Sequence, residues 1–220
     1  MTSGEPRTHA SSRQHALRRH GVDVVLDVGA NAGQYATSLR EGGFAGRIVS
    51  VEPLDEAFAA LASAAAGDPS WTAVQAALAA APGTLDMHVT SDSRCSSVLR
   101  PAAIVALPGG SPVALATVTA RTLDDLSEEV VGAAEHLAVK LDAQGYEREI
   151  LAGAAITLVR ARVLELEMAL VTTYEGAPLI SELLPVLTAQ GFSVISIEPG
   201  HRDRTTGQVY DVDVLMERPA

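Results

Sequence analysis

The sequence predicts an α/β fold: a mostly parallel sheet with helices on both faces, closed by an antiparallel hairpin at the C-terminus. Three observations predict it. Val22–Val28 (VDVVLDV) is a dense β-branched run of the kind that fills a strand buried on both faces. Strand-like and helix-like segments then alternate, which is the signature of right-handed parallel crossovers. Phe192–Ile197 and Val209–Met216 are two further strand-like runs with only Pro199, Gly200 and Gly207 as punctuation between them, so a hairpin joins them.

In chain order, the first twenty residues read as a loose tail with a short helix over Gln14–Arg19, and residues 21–220 as a single domain. After the first strand, Asn31–Arg40 reads as a helix stopped by Gly42-Gly43, and Arg47–Val51 as the second strand. Asp55–Ala66 follows as a helix with Asp55 as N-cap, then Trp71–Gln75 as a short third strand. Thr84–Val89 and Val113–Val118 read as extra strands flanking a Pro/Gly-containing loop, Arg100–Pro112, placed to act as a lid. The alternation resumes with a helix over Leu123–Ala134, a strand over His136–Leu141 and a helix over Glu147–Ile156. A strand over Arg162–Glu167 and a helix over Leu179–Gln190, ended by Gly191, lead into the hairpin.

Composition narrows the function. In 220 residues, 27 acidic side chains stand against 16 Lys and Arg, a formal net charge of −11. Affinity for a polyphosphate backbone comes from clustered cations that release counterions, and no such cluster appears, so nucleic acid is not the expected partner. One cysteine, Cys95, cannot form an internal disulfide, and no stretch reads as a signal peptide or a membrane span. The expected setting is cytoplasmic. A homodimer stays open, because the sequence offers no obvious seam.

The most informative segment is Asp27-Val28-Gly29-Ala30-Asn31-Ala32-Gly33-Gln34-Tyr35, between the first strand and its helix. This is where a doubly wound sheet binds ligands. Gly29 lets the backbone turn sharply, Gly33 lets helix and strand pack closely, and Asp27 can accept from a ligand ammonium. The second strand ends in Glu52, at the height where a carboxylate takes ribose hydroxyls. A dinucleotide fingerprint needs glycine where Asn31 and Gln34 stand, which opposes a pyrophosphate. S-adenosylmethionine, which has no phosphate, suits Asp27, the Gly29–Gly33 turn and Glu52 better. A dinucleotide-dependent oxidoreductase and a non-catalytic binding protein on the same fold remain as alternatives at this point.

The segments VLDVGANAGQY, VEP at Val51–Pro53 and KLDAQGYEREILAGA at Lys140–Ala154 resemble the FkbM family of S-adenosylmethionine-dependent methyltransferases. The likeness extends to Ser96-Ser97-Val98-Leu99, Thr122–Leu126, Gly191-Phe192 and the Asp203…Gly207…Asp213 pattern, so it runs from about Val22 to Arg218. The resemblance implies a class I, Rossmann-like, seven-stranded sheet whose last strand is antiparallel. It further implies O-methylation of a small-molecule hydroxyl on a sugar or natural-product scaffold. It assigns Asp27, Gly29, Asn31 and Gly33 to the methionine part of the cofactor, with Ala30 also at the cofactor and Tyr35 packed over it. Glu52, with Pro53 beside it, takes the ribose, Ala76 and Ala77 flank the adenine, and Ser97 or a backbone amide serves the adenine amino group.

Methyl transfer from a sulfonium needs an aligned acceptor oxygen and a group that takes its proton. Asp142, at the end of a central strand, is the leading candidate and also reaches the cofactor. Lys140 shares its strand face and can pair with it. Glu167 ends the next strand and is the second carboxylate, Glu165 being further from the strand end. Asp142 with Glu167 can also contribute to a magnesium site. Tyr146, Tyr174 and His201 are the candidate acceptor-binding residues.

Overall fold

A computed structural model describes residues 8–102, 110–133 and 135–219. The expected lid includes residues 103–109, which lie outside the described residues. One sheet has seven strands, and a second, small sheet has three.

The chain opens with α1 (His9–Arg19), followed by β1 (Val24–Val28), α2 (Gln34–Glu41), β2 (Arg47–Val51), α3 (Asp55–Ala65) and β3 (Trp71–Val74). The small sheet is built from β4 (Ala77–Leu78), β5 (Gly83–Thr90) and β6 (Pro112–Arg121) in the order β4-β6-β5. Then come α4 (Leu123–Val130), β7 (Leu137–Leu141), α5 (Glu147–Ala152), α6 (Ala155–Arg160), β8 (Ala161–Ala169), α7 (Ile180–Ala189), β9 (Ser193–Pro199) and β10 (Asp211–Glu217). The large sheet runs β3-β2-β1-β7-β8-β10-β9, parallel except for β10, which pairs antiparallel with both β8 and β9. Strand order reverses between β1 and β7, so the carboxyl ends of these two strands frame a crevice, where open α/β sheets hold ligands.

Every residue of β1 and of β7 is buried, as an apolar run covered by helices on both faces requires. On one face Val24, Leu26, Val28, Val139 and Leu141 join the main core with Leu123, Leu126 and Ile150. On the other, Val25, Ile48 and Ala138 pack with Leu17, Leu39, Leu61 and Trp71.

The segment read as a loose tail contains α1, which starts at His9 and buries His9, Gln14, Ala16 and Leu17. Thr8 caps it by accepting from the Ser11 amide. The sequence hides this because the helix buries two polar residues, His9 and Gln14, which hold the sheet and α2 by hydrogen bonds rather than by an apolar stripe. The helix expected over Glu147–Ile156 is two, α5 and α6, separated at Gly153-Ala154. Gly153 is where Ala79 approaches, since a Cβ there would collide with the Ala79 carbonyl.

Candidate functional site

A cavity of about 360 Å³ opens at the switch point, large enough for a cofactor-sized ligand. It is lined by the turn after β1 (Gly29, Ala30, Asn31), by Tyr35 of α2, and by the ends of β2 (Glu52, Pro53), β7 (Lys140, Asp142) and β8 (Glu165, Glu167). Ala76, Ala77, Tyr146 and His201 also line it, so the structure brings most of the sequence-predicted residues together.

The turn is left-handed three times, at Gly29 with φ of 72°, at Asn31 with φ of 46° and at Gly33 with φ of 89°. Asn is among the few side chains that tolerate this region. Asn31 therefore does a geometric job that glycine does in a dinucleotide fingerprint, while its side-chain amide donates to Ser93 Oγ at 2.8 Å. Gly29 is bare because the chain passes close to β7: a Cβ there would collide with the Asp142 carbonyl.

Glu52 sits 6 % exposed, with Oε1 accepting from the Leu54 amide at 2.9 Å and Oε2 from the Asn31 amide at 3.0 Å. Each oxygen keeps a lone pair, so the carboxylate can accept from two hydroxyls on neighbouring ribose carbons without losing its own support. Burial raises its pKa, against the two backbone amides that lower it.

Asp27 does not line the cavity. It is fully buried, accepts from Ser50 Oγ at 2.9 Å and faces Lys140 Nζ at 3.4 Å. Ser50 in turn accepts from Trp71 Nε1 at 3.0 Å, so the acid ends a polar chain across the sheet. The expected contact with a ligand ammonium is thus one step removed. Lys140 spans Asp27 and Asp142, 3.4 Å from each, and donates to the carbonyl of Gly29 at 3.0 Å. Burial alone would lower the Lys140 pKa; Asp142 and Asp27 overcome it and raise it. The ammonium is a fixed charge that ties β1, the turn and β7 together.

Gly33 is also outside the lining: it caps α2 with φ of 89°, and a Cβ there would stand 2.8 Å from the Trp71 ring. Ser97 lies outside it too, fully buried and donating to the Gln144 carbonyl at 2.7 Å, so it supports the loop rather than facing an adenine. Tyr174 also lies outside the lining, its hydroxyl held inside the protein, 2.9 Å from the Cys95 carbonyl and 2.8 Å from Gln144 Oε1. A β7-end loop that must be held from below uses these polar groups, and strand-end position alone does not reveal which way each points.

Gln144 was not among the expected residues. Its amide nitrogen donates to Asp142 Oδ1 at 2.8 Å and to Glu167 Oε2 at 2.6 Å. The amide fills the space between the two carboxylates where a shared magnesium ion would sit, which leaves that expectation without support. Burial, and then the Asp142 charge, push the Glu167 pKa well up.

On the far side of Lys140, Arg13 of α1 makes a two-pronged bond to Glu165, with both contacts at 2.6 Å. Its guanidinium lies 4.6 Å from the centroid of Tyr35, whose hydroxyl also donates to Glu165 at 3.0 Å. Burial would raise the Glu165 pKa, but His9 and Arg13 prevail and hold it at about 2. Arg13 was missed because nothing in a Ser/Arg/His segment signals a side chain reaching a sheet.

Glu147 underlies the β7 turn, its Oε1 accepting from the amides of Ala143 at 2.8 Å and Gly145 at 3.3 Å. Burial dominates these bonds and raises its pKa from 4.5 to about 7. A group raised in the folded state contributes stability that is present below pH 4.5 and is lost as pH rises through about 7. Glu147→Gln should therefore gain about 3 kcal/mol relative to wild type between acid and mildly alkaline solution. Urea unfolding at both ends of that window tests it; a difference independent of pH would contradict it.

No sequence among curated proteins matches the chain. In fold it is similar to an rRNA methylase from Streptococcus thermophilus, with TM-score 0.52, 10% identity, and 99% of this chain and 100% of that one covered. It is similar also to a precorrin-6y C5,15-methyltransferase from Geobacter metallireducens, with TM-score 0.52, 11% identity and coverage of 96% and 87%. An O-methyltransferase from Bacillus cereus, in complex with SAH, aligns with TM-score 0.51, 12% identity and coverage of 100% and 84%. Residues 27–194 match the methyltransferase FkbM domain, a span that includes the β1 turn, Glu52, Lys140, Asp142 and Glu167, and the chain therefore belongs to the FkbM family of S-adenosylmethionine-dependent methyltransferases.

Proposed function

We propose that the chain is an O-methyltransferase that moves a methyl group to a hydroxyl of a small molecule, of the sugar or natural-product type. The observation that supports this reading is a single cavity lined by Glu52 together with Asp142, Glu167 and His201. When bound, S-adenosylmethionine supplies an electrophilic methyl carbon on a sulfonium. The residues present fit it: Glu52 has free lone pairs for ribose hydroxyls, Ala76 and Ala77 offer a small apolar wall for a purine, and the turn at Asn31 offers no glycine cradle for phosphate.

Asp142 would hold the acceptor hydroxyl and take its proton, and the bound cofactor would supply the electrophilic methyl group. Lys140, 3.4 Å from Asp142 Oδ2, and the Gln144 amide keep that carboxylate aimed. Gly29 carries the carbonyl that, with the acids around it, suits a cationic methionine end. Tyr146 and His201, which line the cavity, would contact the acceptor.

The fold alone does not separate small acceptors from RNA, since an rRNA methylase shares it. Charge favours the small acceptor. The cations around the cavity are engaged by carboxylates: Arg13 by Glu165, Lys140 by Asp27 and Asp142, and Arg94 by Asp92. No helix among the described residues is long and apolar enough to cross a membrane.

Calorimetry with S-adenosylhomocysteine, S-adenosylmethionine and NAD should show micromolar binding of the sulfur compounds and none of NAD. Labelled methyl transfer should then appear on hydroxylated small molecules and not on RNA. Absence of binding by either sulfur compound would overturn the reading, and transfer to RNA would overturn the acceptor class.

A further inference from the structure

At the acceptor end, side chains from separate parts of the fold converge. Glu167 lies near the end of β8, Asp211 begins β10, and His201 sits in the connection between β9 and β10. One potential ligand atom from each lies within 4.8 Å of the others. His201 Nδ1 is 3.0 Å from Asp211 Oδ2 and 3.9 Å from Glu167 Oε1. Ligand atoms bound to one ion at about 2.1 Å stand roughly 3 to 3.5 Å apart, so small side-chain movements suffice.

The other oxygen of each carboxylate is already anchored by a protein donor. Asp211 Oδ1 accepts from the His201 amide at 2.8 Å, and Glu167 Oε2 accepts from the Gln144 amide at 2.6 Å. What remains facing inward is Oδ2, Oε1 and Nδ1. Outer bonds that fix ligand orientation in this way are the usual support of a metal centre. Gly200 makes room for it, because a Cβ there would collide with Asp211 Oδ1.

Charge points the same way. Asp213 pairs in register with Glu167 across the strands, so both carboxylates share a sheet face, and Asp142 approaches from β7. The arginine and lysine that line the cavity nearby are already paired, Arg94 with Asp92 and Lys140 with Asp27 and Asp142. The side chains of Glu167 and Asp211 are 16% and 9% exposed, whereas that of His201 is 46% exposed, which leaves an entry from the cavity mouth.

We propose that Glu167, His201 and Asp211 form a binding site for a divalent transition cation such as Mn²⁺ or Zn²⁺ at the acceptor end of the cavity. One imidazole with two carboxylates suits such borderline ions better than Ca²⁺ or Mg²⁺. Binding replaces the Nδ1–H···Oδ2 hydrogen bond, with the imidazole proton carried on Nε2. Three protein ligands leave coordination positions open toward the cavity, since Glu167 and His201 line it. There the ion would hold the acceptor hydroxyl oxygen and ease loss of its proton to Asp142. That role rests on the methyltransferase reading, whereas metal binding itself does not.

The test is a titration of the full chain with Mn²⁺, followed by electron paramagnetic resonance, and with Zn²⁺ by calorimetry. One ion should bind per chain, and His201→Ala and Asp211→Asn should each weaken it at least ten-fold. His201 is exposed enough that its variant should fold, which circular dichroism checks. Absence of wild-type binding up to about 1 mM, well above affinities of physiological interest, would overturn the proposal. So would binding that survives His201→Ala but is lost in Asp142→Asn, which would move the ion to the Asp142–Glu167 pair. Loss of metal binding would leave the sulfur-cofactor calorimetry untouched, so the two readings fail separately.

Discussion

Replacing Glu52 with Ala is expected to weaken S-adenosylhomocysteine binding by roughly a hundred-fold or more. Two charge-assisted hydrogen bonds to ribose hydroxyls, each contributing about 1.5 kcal/mol or more, set that size. Glu52 also accepts from the Asn31 and Leu54 amides, so part of the loss in the Ala variant would come from a loosened turn. Glu52→Gln separates the contributions, because an amide oxygen still accepts from one backbone N–H while the charge is gone. Calorimetry on both variants, with thermal unfolding beside it, checks the argument. If Glu52→Ala binds as wild type does, Glu52 does not hold the ribose.

The second large effect belongs to Gly29. Gly29→Ala puts a methyl group into the Asp142 carbonyl and asks an alanine to hold φ of 72°. Backbone faces backbone here, so neither side can swing away. The expected loss is about 3 kcal/mol or more, which in a domain of this size lowers the melting temperature by on the order of 10 °C. Gly43 is the matched control: its φ of 84° is also left-handed, but a Cβ there meets nothing. Gly43→Ala should cost only the backbone preference, about 1 to 2 kcal/mol. Equal melting temperatures for the two variants would show that the close approach at Gly29 carries no weight.

The parallel order was legible because β1, β2 and β7 are apolar runs whose burial on both faces leaves no alternation to confuse with a helix. Glu52, Lys140 and Asp142 were legible as acids and a base at the ends of such strands. Ser97 and Tyr174 misled because a polar residue near a strand end can turn inward to hold the next loop, and its neighbours in sequence do not say which. Asp27 was placed correctly on the sheet, yet its face belongs to Ser50, Trp71 and Lys140, partners set by register rather than by motif. Arg13 and Gln144 act through contacts with residues far along the chain, and no local pattern encodes such a meeting.

Helix α1 lies ahead of the residues that match the family, yet Arg13 and His9 are what hold the buried Glu165 ionised. If α1 lifted away, the buried Glu165 carboxylate beside the cavity would lose both of its cationic partners and keep the Tyr35 hydroxyl. Fraying of this helix is therefore coupled to the protonation of a group on β8. Amide hydrogen exchange in α1 should slow to nearly the rate of the central strands, well below that of an ordinary terminal helix. The cooperative unit of the protein is thus larger than its family signature, and it begins with the helix that the sequence disguises as a tail.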